Sequence, residues 1–261
     1  MGTNELGKFC TALLAFGVLV FLTLAGCSGG VLVKPGSATY SLNILLEKNL
    51  DSKADYLHLE FLRNDSVFAG AFAVVDGDTI RTKASGTADT TYLNSRWQFR
   101  HTIAIKAVDT AKAFQYTTSV VIPDSFGISN FIPNTHLWQP SSPNPRVEWT
   151  ASAGATNYIA AIQARLPGSP SRGQSVIAGS TQSQTFTPTA FYNPQTNQFV
   201  PDVYYIHVVA YAPTMVERPD ANYEVPTSPP FPLTVDTKQI SGAVAAAVVS
   251  ARDTIIVSPS L

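Results

Sequence analysis

The sequence predicts an all-β fold made of two antiparallel β-sandwich domains. Apolar residues recur at every second position from about residue 38 onward, as in YSLNILL (40–46) and LHLEF (57–61). This period of two belongs to strands that bury one face. Turn residues interrupt the pattern at short intervals, and no segment carries the apolar stripe of an amphipathic helix. Short strands at this spacing are typical of a sandwich.

The first sandwich is predicted to occupy residues 37–125. After the two stretches above, further strands are predicted at Phe68–Val75, Thr79–Lys83, Trp97–Val108 and Phe114–Ile122. In the longest of them the alternation places five side chains on one face: Trp97, Phe99, His101, Ile103 and Ile105. Pro123 and Pro133 interrupt strand pairing, so the domain boundary is expected between them.

Composition limits the classes of partner. The chain has 261 residues, of which 45% are hydrophobic, so it can build the cores of two domains. Only 13% of residues are charged and the formal net charge is -1. Such a balance offers no basic surface, and nucleic acid is therefore not an expected partner.

The N-terminal segment carries the most specific motif. An apolar run from Phe9 to Leu24 is followed by Leu24-Ala25-Gly26-Cys27, and SGG comes next. This segment resembles the signal of bacterial lipoproteins, which implies cleavage after residue 26 and a lipid on Cys27. Residues 27–36 would then be a tether to the membrane. A plain secretory peptide or an uncleaved anchor are the alternatives.

The resemblance also implies a location in the cell envelope. Ser28 follows the cysteine, as in lipoproteins that are sorted to the outer membrane of bacteria with two membranes. Cys10 lies in the leader, so Cys27 is the one cysteine of the expected mature chain. Disulfides, zinc sites and cysteine nucleophiles are therefore not expected, and no cofactor or metal is predicted.

The second domain, predicted at 130–261, has a resemblance of its own. The stretch RVEWTASAGATNYIAAIQA (146–164) resembles the second and third strands of a fibronectin type III domain, with Trp149 and Tyr158 at the matching core positions. VYYIHVVAYAP (203–213) resembles its sixth strand, and Phe231–Thr237 its closing strand. The resemblance implies an immunoglobulin-like sandwich.

The C-terminal extension allows two interpretations. The alanines of ISGAVAAAVVS (240–250) are compatible with a helix and its valines with a strand, whereas Arg252–Ser258 is rich in β-branched residues. We favour strands that complete the edge of the second sandwich.

One stretch raises an enzymatic hypothesis. In FAVVDGDTIRT (72–82), an apolar run ends in Asp76-Gly77-Asp78-Thr79, which resembles the nucleophile motif of haloacid-dehalogenase-type phosphatases. That resemblance would make Asp76 the nucleophile and Asp78 the acid/base, with Mg²⁺ bound. The residues that follow contain no helical stripe, and a downstream acidic pair is absent. We therefore expect a hairpin with Asp76 and Gly77 in a tight turn, and Phe72 and Val74 on one face.

Other candidate sites are few. The four histidines are widely spaced and suggest no metal site or catalytic group. Three aromatic residues in loops, Trp138, Tyr192 and Phe199, are candidates for contact with a ligand or partner, although such residues often cover the end of a sandwich. The sequence therefore predicts a non-enzymatic, lipid-anchored envelope protein that acts as a binding, adhesion or structural module. Its partner would be an envelope protein or a glycan, and a carbohydrate-binding accessory role is the main alternative.

Overall fold

The computed structural model describes residues 39–110, 115–165, 173–193, 195–212 and 240–259. The predicted all-β class is confirmed, because these residues form strands and no α-helix. A single turn of 3₁₀ helix covers Pro188–Phe191. The strands are β1 (Tyr40–Asn49), β2 (Ala54–Arg63), β3 (Ser66–Val67), β4 (Ala71–Val75), β5 (Asp78–Arg81), β6 (Thr87–Tyr92), β7 (Thr102–Asp109), β8 (Gln115–Val121), β9 (Ile128–Ile132), β10 (Leu137–Trp138), β11 (Arg146–Trp149), β12 (Asn157–Ala164), β13 (Gly173–Gly179), β14 (Ser183–Thr185), β15 (Asp202–Ala212), β16 (Ile240–Val249) and β17 (Asp253–Val257).

The described strands form three sheets. The large sheet has the order β10-β17-β15-β16-β1-β2-β3, with β12 and β13 branching from β15 and β6 from β2. The four-stranded sheet has the order β5-β4-β7-β8, and the three-stranded sheet has the order β14-β11-β9. The pairing is not purely antiparallel as predicted, because β1 pairs with β16 and β10 with β17 in parallel.

The alternation that predicts the first strands is confirmed in β1 and β2. Leu42, Ile44 and Leu46 are buried on β1, and they lie opposite Phe61, Leu59 and Leu57 of β2, which are buried as well. Burying a leucine or isoleucine side chain contributes roughly 1.5–3 kcal/mol. These six residues therefore form a core on one face of the large sheet.

Strand β16 occupies an interior position of the large sheet. It pairs with β1 along its whole length, from Tyr40↔Ile240 to Asn49↔Val249, and antiparallel with β15 through residues 246–249. The prediction of a strand at 240–250 is therefore confirmed over 240–249, but its placement at an edge is wrong. Small side chains suit this position, since a Cβ at Gly242 would clash with the Leu42 carbonyl oxygen.

This pairing joins segments that the sequence assigned to different domains. β1 belongs to the predicted first domain, whereas β15 and β16 belong to the predicted second domain. The described residues, from 39 onward, form one compact unit. The domain limits at 37–125 and 130–261 stay a prediction, and Phe231–Thr237 lies outside the described residues.

The predicted strand at Trp97–Val108 is shorter in the structure. β7 begins at Thr102, because Arg100 has a φ of 61° and its N–H donates to the Ile122 carbonyl at 2.9 Å. A positive φ turns the chain and ends the two-residue alternation. Trp97 is buried, but the side chain of His101 is 48% exposed, so the predicted common face with Ile103 is wrong.

The predicted strands around Trp149 and Tyr158 are confirmed as β11 and β12. The two strands lie in different sheets. Both aromatic side chains are buried, and their ring centroids are 5.6 Å apart. The Tyr158 hydroxyl accepts a hydrogen bond from the Ser152 N–H at 2.8 Å. The pair therefore connects the three-stranded sheet to the large sheet.

Candidate functional site

The DGDT stretch forms the hairpin between β4 and β5. Val75 pairs with Asp78, and the two residues between them have positive φ angles, 49° at Asp76 and 88° at Gly77. Two successive positive φ angles define the type I′ turn, which matches the twist of a hairpin. Phe72 and Val74 are half-buried together on one face. The predicted tight turn is therefore confirmed.

The two aspartates of this turn contact the loop that precedes β7. Asp78 Oδ2 lies 3.0 Å from the Arg96 guanidinium and accepts a hydrogen bond from the Tyr92 hydroxyl at 3.4 Å. Burial, together with the Asp78 charge, raises the pKa of Tyr92. Asp76 Oδ1 lies 3.8 Å from His101 Nε2. Both carboxylates therefore link the hairpin to residues 92–101.

The phosphatase resemblance requires a different local geometry. Its nucleophile would sit at the carboxyl end of a parallel strand, and a helix would follow. Here β4 pairs antiparallel with both β5 and β7, and β5 begins directly after the turn. Asp76 consequently occupies a hairpin position instead of a parallel strand end.

A buried ion pair at one end of the β1–β2 hairpin was not predicted from the sequence. Lys48 Nζ lies 3.4 Å from Asp55 Oδ1, and the two side chains are 7% and 1% exposed. Lys48 also donates to Ser95 Oγ and, at 2.8 Å, to the Trp97 carbonyl. Its ammonium group lies 4.9 Å from the centre of the Phe99 ring.

Asp55 also binds the backbone of residues 96 and 97, and we call these contacts together the Lys48–Asp55 cluster. Asp55 Oδ2 accepts hydrogen bonds from the backbone N–H groups of Arg96 and Trp97, at 2.6 and 2.8 Å. A carboxylate with this many donors has a structural role, because it fixes residues 95–97 against β2. The pairing of Lys48 with Asp55 in the hairpin register is the signal that could have revealed the cluster.

Trp138 does not lie on the surface as the sequence suggested. It is 1% exposed, and its indole N–H donates to the Pro143 carbonyl at 3.0 Å. Its ring centroid lies 4.6 Å from that of Phe191 and 6.0 Å from that of Phe199. The two-residue strand β10 pairs with β17 and holds Trp138 inside, so a direct ligand contact is not available to it.

Tyr192 and Phe199 remain partly accessible. They form an isolated antiparallel bridge, their ring centroids are 5.6 Å apart, and both side chains are half-buried. The Asn193 N–H donates to the Gln198 carbonyl at 2.9 Å, which closes the loop between them. Of the three aromatic residues predicted to contact a ligand or partner, Tyr192 and Phe199 therefore lie together at the surface.

The histidines take part in separate local contacts. His58 Nδ1 lies 2.7 Å from Asp89 Oδ1, and His136 Nδ1 lies 2.8 Å from the Thr254 carbonyl oxygen. Burial lowers the pKa of His207 on β15, and burial raises the pKa of Tyr211 to about 12.

The part of the chain that the structure describes contains no group of three or more histidine, cysteine, aspartate or glutamate residues arranged to hold a metal ion. A cavity of about 20 Å³ beside His58 is lined by Leu45, Glu47, Tyr56 and Asp89, among others. That volume is suited to a water molecule.

Comparison with known proteins adds no assignment. No protein-family model matches the chain, and no curated protein matches it significantly. Among the described residues, no helix has the length and apolar character needed to cross a membrane.

Proposed function

We propose that this protein is a lipid-anchored component of a bacterial cell envelope that acts as a non-catalytic binding, adhesion or structural module. The observation that carries the proposal is that the side chains that could suggest catalysis are engaged in contacts within the fold. Asp76 and Asp78 belong to a hairpin and bind Arg96, Tyr92 and His101, and the buried Lys48 and Asp55 bind each other and nearby backbone. These groups stabilise a scaffold.

The fold of the second half supports an immunoglobulin-like, fibronectin type III-related module. Its three-stranded sheet has the order β14-β11-β9, and β13, β12, β15 and β17 are neighbours in the large sheet. Seven strands divided in this way, with the Trp149–Tyr158 pair between the sheets, support such a module. In this proposal β17 is the closing strand, a position that the sequence resemblance gives to Phe231–Thr237. Modules of this kind commonly present loops or sheet edges to partners.

The anchor supports the envelope location. The LAGC motif directly follows the apolar run, and residues 28–36 would span at most about 30 Å when fully extended. The first sandwich would then lie close to the membrane surface, which in a bacterium with two membranes is the outer membrane. An envelope protein or a glycan is the corresponding partner.

Replacement of Cys27 by alanine tests the anchor. We expect the Cys27→Ala chain to lose incorporation of a labelled fatty acid, because the thiol is the acceptor of the lipid. Any Cys27→Ala protein from which the leader has been removed should leave the membrane fraction. Cys10→Ala is the matched control, and we expect its fractionation to be unchanged. Processed Cys27→Ala protein that still sediments with membranes would overturn the lipoprotein assignment.

A second candidate function, binding of carbohydrate, is favoured by Tyr192 and Phe199. Half-exposed aromatic rings can stack on sugar rings, and the adjacent Asn193 and Gln198 supply amide groups. We expect a glycan-array signal of the full chain to be lost in Tyr192→Ala and Phe199→Ala. Leu93→Ala, at an apolar side chain that is 82% exposed, should keep the signal. Equal binding by all of these variants would exclude this site.

A further inference from the structure

Among the described strands, β8 lies at one edge of the four-stranded sheet. It pairs with β7 without interruption, from Thr102↔Val121 to Val108↔Gln115. No strand within the described ranges pairs with its other side. An edge of this kind presents unpaired N–H and C=O groups that can bind another strand.

Other edges of the described sheets carry features that discourage strand addition. β3 has two residues, β5 carries Asp78 and Arg81, and β13 pairs with β12 through a shifted register. Short edges, charges and bulges are the usual protection. The β8 sequence, QYTTSVV, contains no charge, no proline and no glycine, and its register has no shift.

The hydrogen-bond pattern shows which β8 residues direct their backbone N–H and C=O groups away from β7. The Ile122 N–H donates to the His101 carbonyl at 3.1 Å, so the N–H group of residue 122 points toward the β7 side. Hydrogen-bonded pairs alternate along an antiparallel ladder. The backbone N–H and C=O groups of residues 116, 118 and 120 therefore point toward β7. On the other side of β7, the Asp76 N–H donates to the Ala104 carbonyl at 3.0 Å, which agrees with this alternation. The backbone groups of Gln115, Thr117, Ser119 and Val121 therefore point to the open edge.

We propose that β8 is a self-association edge, on which β8 of a second copy lies antiparallel with the two-fold axis at Thr118. In this register the outward residues pair with each other, Thr117 with Ser119 and Gln115 with Val121 of the second copy. Four such pairs exchange two bonds each, so about eight backbone hydrogen bonds form.

The side chains of β8 are complementary to themselves in the same register. Tyr116 lies opposite Val120, Thr117 opposite Ser119, and Thr118 opposite Thr118 of the second copy. Aromatic–β-branched and Thr–Ser or Thr–Thr pairs are favourable cross-strand combinations, and no like charges meet. A foreign peptide would instead be selected by pockets or charges for its alternate side chains. The exposed side chains of this edge are three polar residues and one valine, Gln115, Thr117, Ser119 and Val121, and none of them carries a charge.

A disulfide cross-link tests this register. In the proposed dimer the two copies of residue 118 are a non-hydrogen-bonded pair with Cα atoms about 4.5 Å apart, which is within the disulfide range. We expect the full-length Thr118→Cys chain, oxidised in intact cells, to give a band of twice the monomer mass on a non-reducing gel. The matched control is Thr79→Cys, on exposed β5 at the opposite edge of the same sheet. Its band should be several-fold weaker, and the unmodified chain measures background from Cys10 and Cys27.

Introduction of like charges at the contact provides a second measurement. Thr117→Lys/Ser119→Lys places like charges opposite each other twice, so the Thr118→Cys band should disappear and the light-scattering mass of the detergent-purified full chain should fall from dimer to monomer. Protease resistance of each variant reports whether it folds. The proposal is overturned if Thr118→Cys cross-links no more than Thr79→Cys, if the double lysine variant remains dimeric, or if the cross-linked band contains a different protein.

Discussion

Replacement of Asp55 by alanine is expected to lower the free energy of unfolding by about 3–5 kcal/mol, the usual cost of breaking a buried ion pair by removing one partner. Asp55 is 1% exposed and binds the Lys48 ammonium group at 3.4 Å. The change would leave that ammonium buried without its carboxylate and would also remove the acceptor of the Arg96 and Trp97 N–H groups. Urea unfolding followed by tryptophan fluorescence measures the effect.

Two controls distinguish the loss of the buried ion pair from the loss of a charge at the surface. Asp89→Ala removes an aspartate whose side chain is 61% exposed and which contacts His58, so its effect should stay within about 0.5 kcal/mol. Replacing both members of the cluster, as Lys48→Met/Asp55→Leu, should cost less than Asp55→Ala, because no buried charge then remains unpaired. Equal stabilities of Asp55→Ala and Asp89→Ala would contradict the structural role of the cluster.

Replacement of Trp138 by alanine is expected to cost about 3–5 kcal/mol, as for other large aromatic side chains removed from a core. The change would empty the space beside Phe191 and Phe199 and remove the hydrogen bond to the Pro143 carbonyl. The expected result is an earlier unfolding midpoint in urea, with an unchanged slope if the transition remains two-state.

Two further variants, Trp138→Phe and Leu93→Ala, serve as controls for Trp138→Ala. Trp138→Phe keeps a ring beside Phe191 but loses the N–H donor, so we expect a smaller loss than for alanine. Leu93→Ala should change stability by less than about 0.5 kcal/mol, because Leu93 is exposed. A Trp138→Ala chain as stable as Leu93→Ala would show that Trp138 does not support the fold.

The local features of this fold could be predicted because they depend on neighbouring residues. Alternation in β1 follows from the two-residue period of a strand, and the Asp76-Gly77 turn follows from the tolerance of these residues for positive φ. The strand at 102–109 was predicted too long, since the positive φ of Arg100 has no signal in the residue type. An arginine rarely adopts that conformation, and here it accompanies the hydrogen bond from the Arg100 N–H to the Ile122 carbonyl, which is distant in sequence.

The candidate site was predicted less well, because exposure is a property of the whole fold. Trp138 stands among turn residues in the sequence, but its pairing with Val257, over a hundred residues away, places it in the core. Tyr192 and Phe199 are partly exposed, and an isolated bridge pairs them with each other. The Lys48–Asp55 cluster was missed for a related reason, since the third contributor, residues 95–97, is distant in sequence.

The sequence by itself determined the strand character of the described residues and the hairpin at Asp76-Gly77, because each depends on a few consecutive residues; the proposed lipid anchor at Cys27 rests on the sequence alone. Only the tertiary structure decided that β16 lies between β15 and β1, and that no strand of the described residues pairs with the outer side of β8. Strand order has no local signal: β16 is rich in alanine and valine, which suit any buried strand, and its partners are selected by burial on both faces and by the close approach at Gly242.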